Sequence, residues 1–385
     1  LFQTLQPTTP EELRDHLAAA ARAKRHIELC GNDTKRLMAG APAPAAVRIS
    51  TSHLNRIVQY EPRDLTISVE AGMPFAELSR ELARHGQMVP LEGPWSEEGT
   101  VGGLVAANIS GSRRRLYGTA RDLVIGMKFA TLDGRLVQSG GMVVKNVAGL
   151  DMAKLMIGSF GTLAAIASVN FKLIPIPAAS RTVLFSFGDL KTAMEARSAA
   201  IRGFLTPAAV DVLNPVLAAQ LNLKGYVLAL LFGGNEAVIE RSHREAQKLG
   251  PARALPHGEE QRFWNSLRQI TPHHLEKFKE GVVVRVSTTL SGCGDALDAI
   301  EGAGHAHAAS GVVRGWFSRS DAGARFLNTA VSRGWKGVVE CSGDSAKLNL
   351  PLWPKPGGDL AIMKRVKQMF DPEGLLNSGR LFGVI

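Results

Sequence analysis

The glycines constrain this chain more than any other residue type. Thirteen of its 40 glycines fall within residues 93–161. Glycine loses more backbone entropy on ordering than any other residue, so a dense cluster in a strand-rich segment signals tight turns or close backbone approach to a ligand. The segment carries few prolines, which argues against a low-complexity linker. A chain of 385 residues is also too long for one small domain.

Patterning around this block predicts an α+β fold. Residues 10–23 predict a helix, with Thr9 as cap, Pro10 at the first position and acids in the first turn. Strands are expected at 26–30, 66–70, 123–131 and 163–174, and a helix at 74–85. Asp133-Gly134 signals a hairpin turn. The string Ile174-Pro175-Ile176-Pro177 marks a domain boundary. Beyond it, a strand at 226–232 and a helix at 236–249 belong to a second region, and residues 360–370 read as a closing helix followed by a loop.

Composition excludes several classes. With 45% hydrophobic and 21% charged residues the chain is not disordered. The longest apolar-leaning stretch, residues 155–171, is interrupted by polar residues and glycines and falls short of the ~20 apolar residues of a membrane span. The N-terminal residues lack a basic region followed by an apolar core, so no signal peptide is expected. The net charge of +10 favours acidic partners, among them a phosphorylated cofactor. Arg113-Arg114-Arg115 is the tight basic run, and 6% aromatics leave few platforms for stacking on bases, so no nucleic acid is expected. Cys30, Cys293 and Cys341 are scattered without a CxxC pair. They predict a reducing compartment and cannot hold an iron–sulfur cluster within this chain.

Two familiar phosphate loops are missing. Gly292-Cys293-Gly294 has Leu297 where a dinucleotide-binding Rossmann turn needs its third glycine, and no Walker loop occurs. Three other strings are candidates. Gly31-Asn32-Asp33-Thr34-Lys35 follows a strand and suits either a backbone nest for an anion or a surface loop. Residues 99–108, with Thr100, Gly102, Gly103 and Asn108, could open a helix toward a phosphate or pack a helix tightly on a sheet. Residues 145–151 and 158–163 combine Lys145, Asn146 and Asp151 with small residues, either at a ligand or in a buried polar network.

Taken together, these strings resemble the FAD-binding domain of the vanillyl-alcohol oxidase and p-cresol methylhydroxylase superfamily. The run GGMVVKNVAGLDMAKLMIGSFGTLAAI, with GTVGG and RDLVIG before it, is similar to the FAD-binding subunits of glycolate oxidases. The tail FDPEGLLNSGR fits that family's closing signature. The resemblance is strong over residues 1–177, good in the tail and weak over 178–350.

It implies a p-cresol-methylhydroxylase-type (PCMH-type) FAD-binding domain over 1–177, split into subdomains at about 85. A cap domain over 178–350 and a C-terminal segment, 351–385, that packs back would follow. Gly31, Asn32, Asp33, Thr34 and Lys35 would meet the pyrophosphate, and Thr100, Gly102, Gly103 and Asn108 the diphosphate and flavin edge. Gly161 and Ile166 would sit by the adenosine half, with Asn377 from the tail signature. Glu92, Pro94, Trp95, Ser96 and Glu97 offer no linking nucleophile, so the FAD is expected to be non-covalent.

In the cap, Arg268 stands in a string whose arginine pairs a substrate carboxylate in relatives, and Arg285 stands for a second cation. Metal-dependent relatives carry a His-x6-His-x-Asn string and a Glu-His pair. Here His307 and Glu340 match, while Arg314, Trp316 and Cys341 replace the other positions, so no metal is expected. The implied activity is oxidation of glycolate or another small 2-hydroxy acid, with hydride transfer to the flavin. The implied partners are a paralogous FAD-containing catalytic subunit and an iron–sulfur subunit. The alternative is an FAD-binding assembly or relay subunit without turnover of its own. The cytoplasm is the expected location, or the inner face of the cell membrane by way of a complex.

Overall fold

Two sheets organise the first of two units in a computed structural model that describes residues 3–143, 150–343 and 351–385. This unit comprises Leu1–Ser110, Gly118–Ile176 and Lys355–Ile385, and the second comprises Gly111–Tyr117 and Pro177–Pro354. Of the string Lys145 to Asp151, residues 145–149 fall outside the described residues, and Leu150 and Asp151 fall within them.

The helix Pro10–Arg22 forms as its sequence dictates. The Thr9 hydroxyl accepts from the Glu12 amide at 3.1 Å, and Leu13, Leu17 and Ala20 are buried. These residues pack with Ile27, Val47 and Ile49 of a three-stranded parallel sheet. In that sheet Val47–Ser50 lies between Gln3–Leu5 and Ile27–Cys30.

The second sheet is antiparallel, in the order Ile57–Glu61, Thr66–Glu70, Ala165–Lys172, Val124–Ala130 and Leu136–Gly140. The expected hairpin is present: Gly134, at φ +83°, turns the chain between the last two strands. Thr66–Glu70 pairs along its length with Ala165–Lys172, on the far side of the expected subdomain split at about 85, and the change of sheet comes between Ser50 and Ile57.

An eight-stranded antiparallel sheet forms the second unit. Its order is Ala252–Ala254, Ala179–Phe187, Tyr226–Gly234, Ala209–Leu213, Ala303–His307, Val312–Phe317, Val282–Ser287 and Lys336–Ser342. Side chains alternate across it. Val210, Val212, Val284, Ala306 and Val313 join one apolar core with residues of the helices Leu190–Arg202, Glu236–Gln247, Cys293–Asp298 and Ser320–Ser332. The intervening residues Asp211, Arg285, His305, His307, Arg314 and Trp316 therefore share the other face. The helix His257–Lys277 is fixed by two indole hydrogen bonds, Trp264 to Thr182 at 2.8 Å and Trp316 to Thr271 at 2.9 Å. Among the described residues, no helix is long and apolar enough to cross a membrane.

Candidate functional site

A groove of about 780 Å³, counting the part open to solvent, runs through the first unit. Gly31 to Lys35, Thr100, Gly102, Gly103, Gly161, Ile166 and Asn377 all line it. Residues separated by more than 300 positions thus meet at one place. Asn108 is not among the lining residues. It stands exposed at φ +49° just after the helix Val101–Ala106, where it ends that helix in the left-handed conformation.

The two halves of the groove differ in what their backbone offers. The amides of Asn32, Asp33 and Thr34 donate to no acceptor among the described residues. For the helix Val101–Ala106 the sequence left open a start that faces a phosphate or tight packing on a sheet, and its first amides follow the packing alternative. The Val101 amide donates to Met73 O at 2.9 Å, the Gly102 amide to Ala71 O at 2.7 Å, and the Gly103 amide to the Thr100 hydroxyl at 3.2 Å. The protein has already satisfied these donors, so this helix contributes shape rather than hydrogen bonds.

That shape depends on glycine at two positions for different reasons. A Cβ at Gly102 would lie 2.8 Å from the Ala71 Cβ and 3.0 Å from its carbonyl, so Gly102 lets the helix sit on the neighbouring chain. A Cβ at Gly103 would meet only the Thr100 hydroxyl, at 3.2 Å, and otherwise enter open space. Gly31 has a third role: a side chain there would overlap the Thr100 hydroxyl.

Charge and anchoring come from the tail. Asn377 uses its side-chain amide on both edges, accepting from Leu29 N at 2.8 Å and donating to Phe160 O at 2.9 Å. It positions the strand Ile27–Cys30 and the Gly161 turn. Arg380 is buried against the groove, with Nη2 on Lys35 O at 3.1 Å and its guanidinium 5.5 Å from the Phe160 ring centre. Its Nε is buried and finds no acceptor among the described residues. Nearby, Lys35 Nζ is held by Thr34 Oγ1 and Trp95 O, each at 2.8 Å. Burial raises the Asp33 carboxyl above its usual range, against the pull of Arg48, Arg36 and Arg380. Cys30 also lines the groove, and burial pushes its thiol up to about 11, so it stays protonated.

Lys367 and Asp371 build the turn that carries Asn377. Lys367 Nζ reaches Asp371 Oδ2 at 2.6 Å, Thr162 O at 2.8 Å and Leu376 O at 2.9 Å. Asp371 accepts in addition from the amides of Leu375 and Leu376, at 2.9 and 2.8 Å. Its charge is thus paired with Lys367, and both of its oxygens accept hydrogen bonds inside the fold.

The second unit brings together three of the four expected substrate-side residues. Arg314 forms a bidentate pair with Glu340, at 2.6 and 3.1 Å, and its Nη1 lies 2.6 Å from His307 Nε2. Arg285 Nε lies 3.4 Å from Glu340 and keeps about a third of its side chain exposed. The fourth, Arg268, sits half-buried on the helix His257–Lys277 and donates to Asn265.

Sequence reading missed the other half of this cluster. Asp211 Oδ1 is 3.0 Å from His307 Nδ1, and its Oδ2 lies 2.9 Å from His305 Nε2, off the direction of a hydrogen bond. The Ser112 hydroxyl also donates to Asp211. Two signals were available: a carboxylate inside the apolar strand AVDVL, and the alternation His305-Ala306-His307 on one face of a strand.

The protonation pattern follows from the donors. A guanidinium has only N–H groups, so His307 Nε2 must accept and Nδ1–H must donate to Asp211. His307 is therefore neutral. Burial, outweighing Asp211, lowers it to about 4. Burial raises the Asp211 carboxyl, but the two imidazoles outweigh it and hold it well below the usual range. Burial likewise raises Glu340, and Arg314 brings it back below its ordinary value. Asp211, His305 and His307 have ligand atoms within 4.8 Å of one another, the spacing of a metal site. The Arg314 cation on His307, however, stands where it would repel a second positive charge.

Residues 3–140 match the family described as FAD binding domain, and residues 354–381 match FAD linked oxidases, C-terminal domain. The chain is 28% identical over 378 residues to glycolate oxidase subunit GlcE of Escherichia coli, covering 97% of each chain. It is 26% identical over 251 residues to glycolate oxidase subunit GlcD of Bacillus subtilis, which covers 64% of this chain and 53% of that one. The structure of p-cresol methylhydroxylase with substrate bound superposes with a TM-score of 0.74 at 14% identity, covering 98% of this chain and 88% of that chain.

Proposed function

We propose that this chain is a PCMH-type FAD-binding protein and the FAD-containing subunit of a multi-subunit 2-hydroxy acid oxidase that converts glycolate to glyoxylate. The observation that carries this reading is the groove of the first unit. Three features fit a dinucleotide cofactor: among the described residues the amides of Asn32 to Thr34 and the Nε of the buried Arg380 have no acceptor, and Gly103 leaves space along the wall. Likeness to GlcE along nearly its whole length supports the assignment. Bound FAD supplies a two-electron acceptor for hydride from the α-carbon of a hydroxy acid.

The chain's own residues would do the rest. Gly31 to Lys35 and Arg380 hold the phosphates, and the Gly103 face sets the depth of the groove. Arg285, partly exposed beside Glu340, offers a planar fork for a substrate carboxylate. Cys30, Cys293 and Cys341 are scattered without a CxxC pair and supply no iron–sulfur ligand set, so in this reading electrons leave through a partner carrying the iron–sulfur cluster. The FAD is non-covalent, since the one thiol lining the groove, Cys30, is protonated. Acid precipitation should release the flavin into the supernatant. The chain holds no tightly bound divalent metal, and stoichiometric zinc or manganese on the purified protein would contradict this. A cytoplasmic location, or the inner membrane face by way of the complex, goes with this reading.

Arg314 favours a second reading. A general base needs a free lone pair, and the lone pair of His307 is occupied by a guanidinium that Glu340 also holds. In this reading the chain carries FAD as an assembly or relay subunit, and a paralogous FAD-containing subunit oxidises the substrate. Anaerobic mixing of the purified holo-chain with glycolate separates the two. Bleaching of the flavin absorbance supports turnover here. A flavin that stays oxidised alone but bleaches within the assembled complex supports the relay.

A further inference from the structure

On the helix-covered side of the eight-stranded sheet, a guanidinium is buried without a counter-ion. Arg197 projects from the helix Leu190–Arg202 and is only 4% exposed. Its Nη2 donates to Leu290 O at 2.9 Å. Its Nε is buried with no acceptor, and among the described residues Arg197 has no ion pair. The charged and ionisable neighbours acting on it are the Cys293 thiol and the Arg202 cation, with no carboxylate among them. Arginine cannot shed its proton to escape this, and an uncompensated buried charge is strongly unfavourable.

The side chain lines an open crevice of about 1970 Å³, counting the part open to solvent, between this helix and residues 290–298. Leu190, Met194, Ile201 and Leu290 give the crevice an apolar lining. Its remaining charges balance roughly: Lys191 and Arg202 line it together with the exposed acids Glu195, Asp295 and Asp298. A dianion such as phosphate would meet those acids and gain nothing from the apolar lining. A monoanionic carboxylate with a hydrocarbon body satisfies both.

We propose that this crevice binds an amphipathic carboxylate, its head paired with Arg197 and its tail on Leu190, Met194, Ile201 and Leu290. The site lies wholly in the second unit and is independent of the FAD groove and of the substrate reading.

Calorimetric titration of the holo-chain tests the proposal, with octanoate as probe and 1-octanol, acetate and inorganic phosphate as comparisons. Octanoate should bind saturably, and should raise the melting temperature of the second unit by roughly 5–10 °C at a hundredfold excess over its Kd. Acetate should bind at least tenfold more weakly. Arg197→Met should weaken octanoate at least tenfold, and Arg197→Lys should recover part of the loss. Should Arg197→Met fail to fold, Ser291→Trp, on an exposed residue lining the crevice, should block octanoate without touching the guanidinium. Equal binding of 1-octanol, binding of phosphate but not octanoate, or octanoate affinity unchanged in Arg197→Met and Ser291→Trp would each overturn it.

Discussion

Replacing Gly103 by valine tests the cofactor groove most directly, because the structure separates packing from binding at this position. The added side chain meets the Thr100 hydroxyl and then open groove. In a helix interior, loss of a glycine gains up to about 1 kcal/mol, which displacement of that hydroxyl and the β-branch offset. The apoprotein should therefore melt within a few degrees of wild type. Binding should suffer much more. At a hundredfold excess over Kd, FAD stabilises the native state by about 2.7 kcal/mol, and a hundredfold weaker Kd leaves about 0.4 kcal/mol at the same concentration. For a unit of this size, the gap between holo and apo melting temperatures should fall from about 5–10 °C to about 1 °C. Calorimetric melts with and without FAD, together with a fluorescence titration of the apoprotein, measure both quantities. Gly102→Val should instead lower the apo melting temperature itself, since its clash is with Ala71. A Gly103→Val protein with wild-type FAD affinity would show that the cofactor does not run along this wall.

Protonation of His307 should make the second unit acid-sensitive. Its folded value of about 4 lies below the ordinary 6.5, so the unfolded chain binds the extra proton between those limits and stability falls as the pH drops through that window, by up to about 3 kcal/mol. His307→Gln should flatten the curve of melting temperature against pH between 6.5 and 4, and an unchanged slope would locate the sensitivity elsewhere. Lys367→Met should cost about 3–5 kcal/mol in urea unfolding, because it strips a buried carboxylate of its cation. A loss under 1 kcal/mol would mean that the Leu375 and Leu376 amides suffice for Asp371.

The glycine strings were readable because a glycine's reason for being is local: the left-handed turns at Gly134 and Gly161 and the close approach at Gly31 each fall within a few residues of a recognisable signal. What a given glycine faces was not readable. Gly102 and Gly103 are neighbours in sequence, yet one points at Ala71 and the other into the groove, and only the docking of the helix decides which. The amides of that helix illustrate the same limit, since their acceptors, Met73 and Ala71, lie some thirty residues earlier. In the second unit, the spacing of His307, Arg314 and Glu340 was visible in the sequence. Asp211 was not, because it reaches His307 through strand register across nearly a hundred intervening residues. Arg268 shows the limit of a local string: the match is visible in sequence, but the partner its side chain takes, Asn265 on its own helix, is not.

The bond between Asn377 and Leu29 also sets an order of events during synthesis. The strand Ile27–Cys30 leaves the ribosome early, but the side chain that anchors it to the Gly161 turn is made almost 350 residues later. Until then the phosphate-side wall lacks its brace and Arg380, the buried cation of the groove, does not yet exist. FAD capture should therefore wait until this tail has been made, and nascent chains stalled before residue 377 should remain colourless whatever the flavin supply.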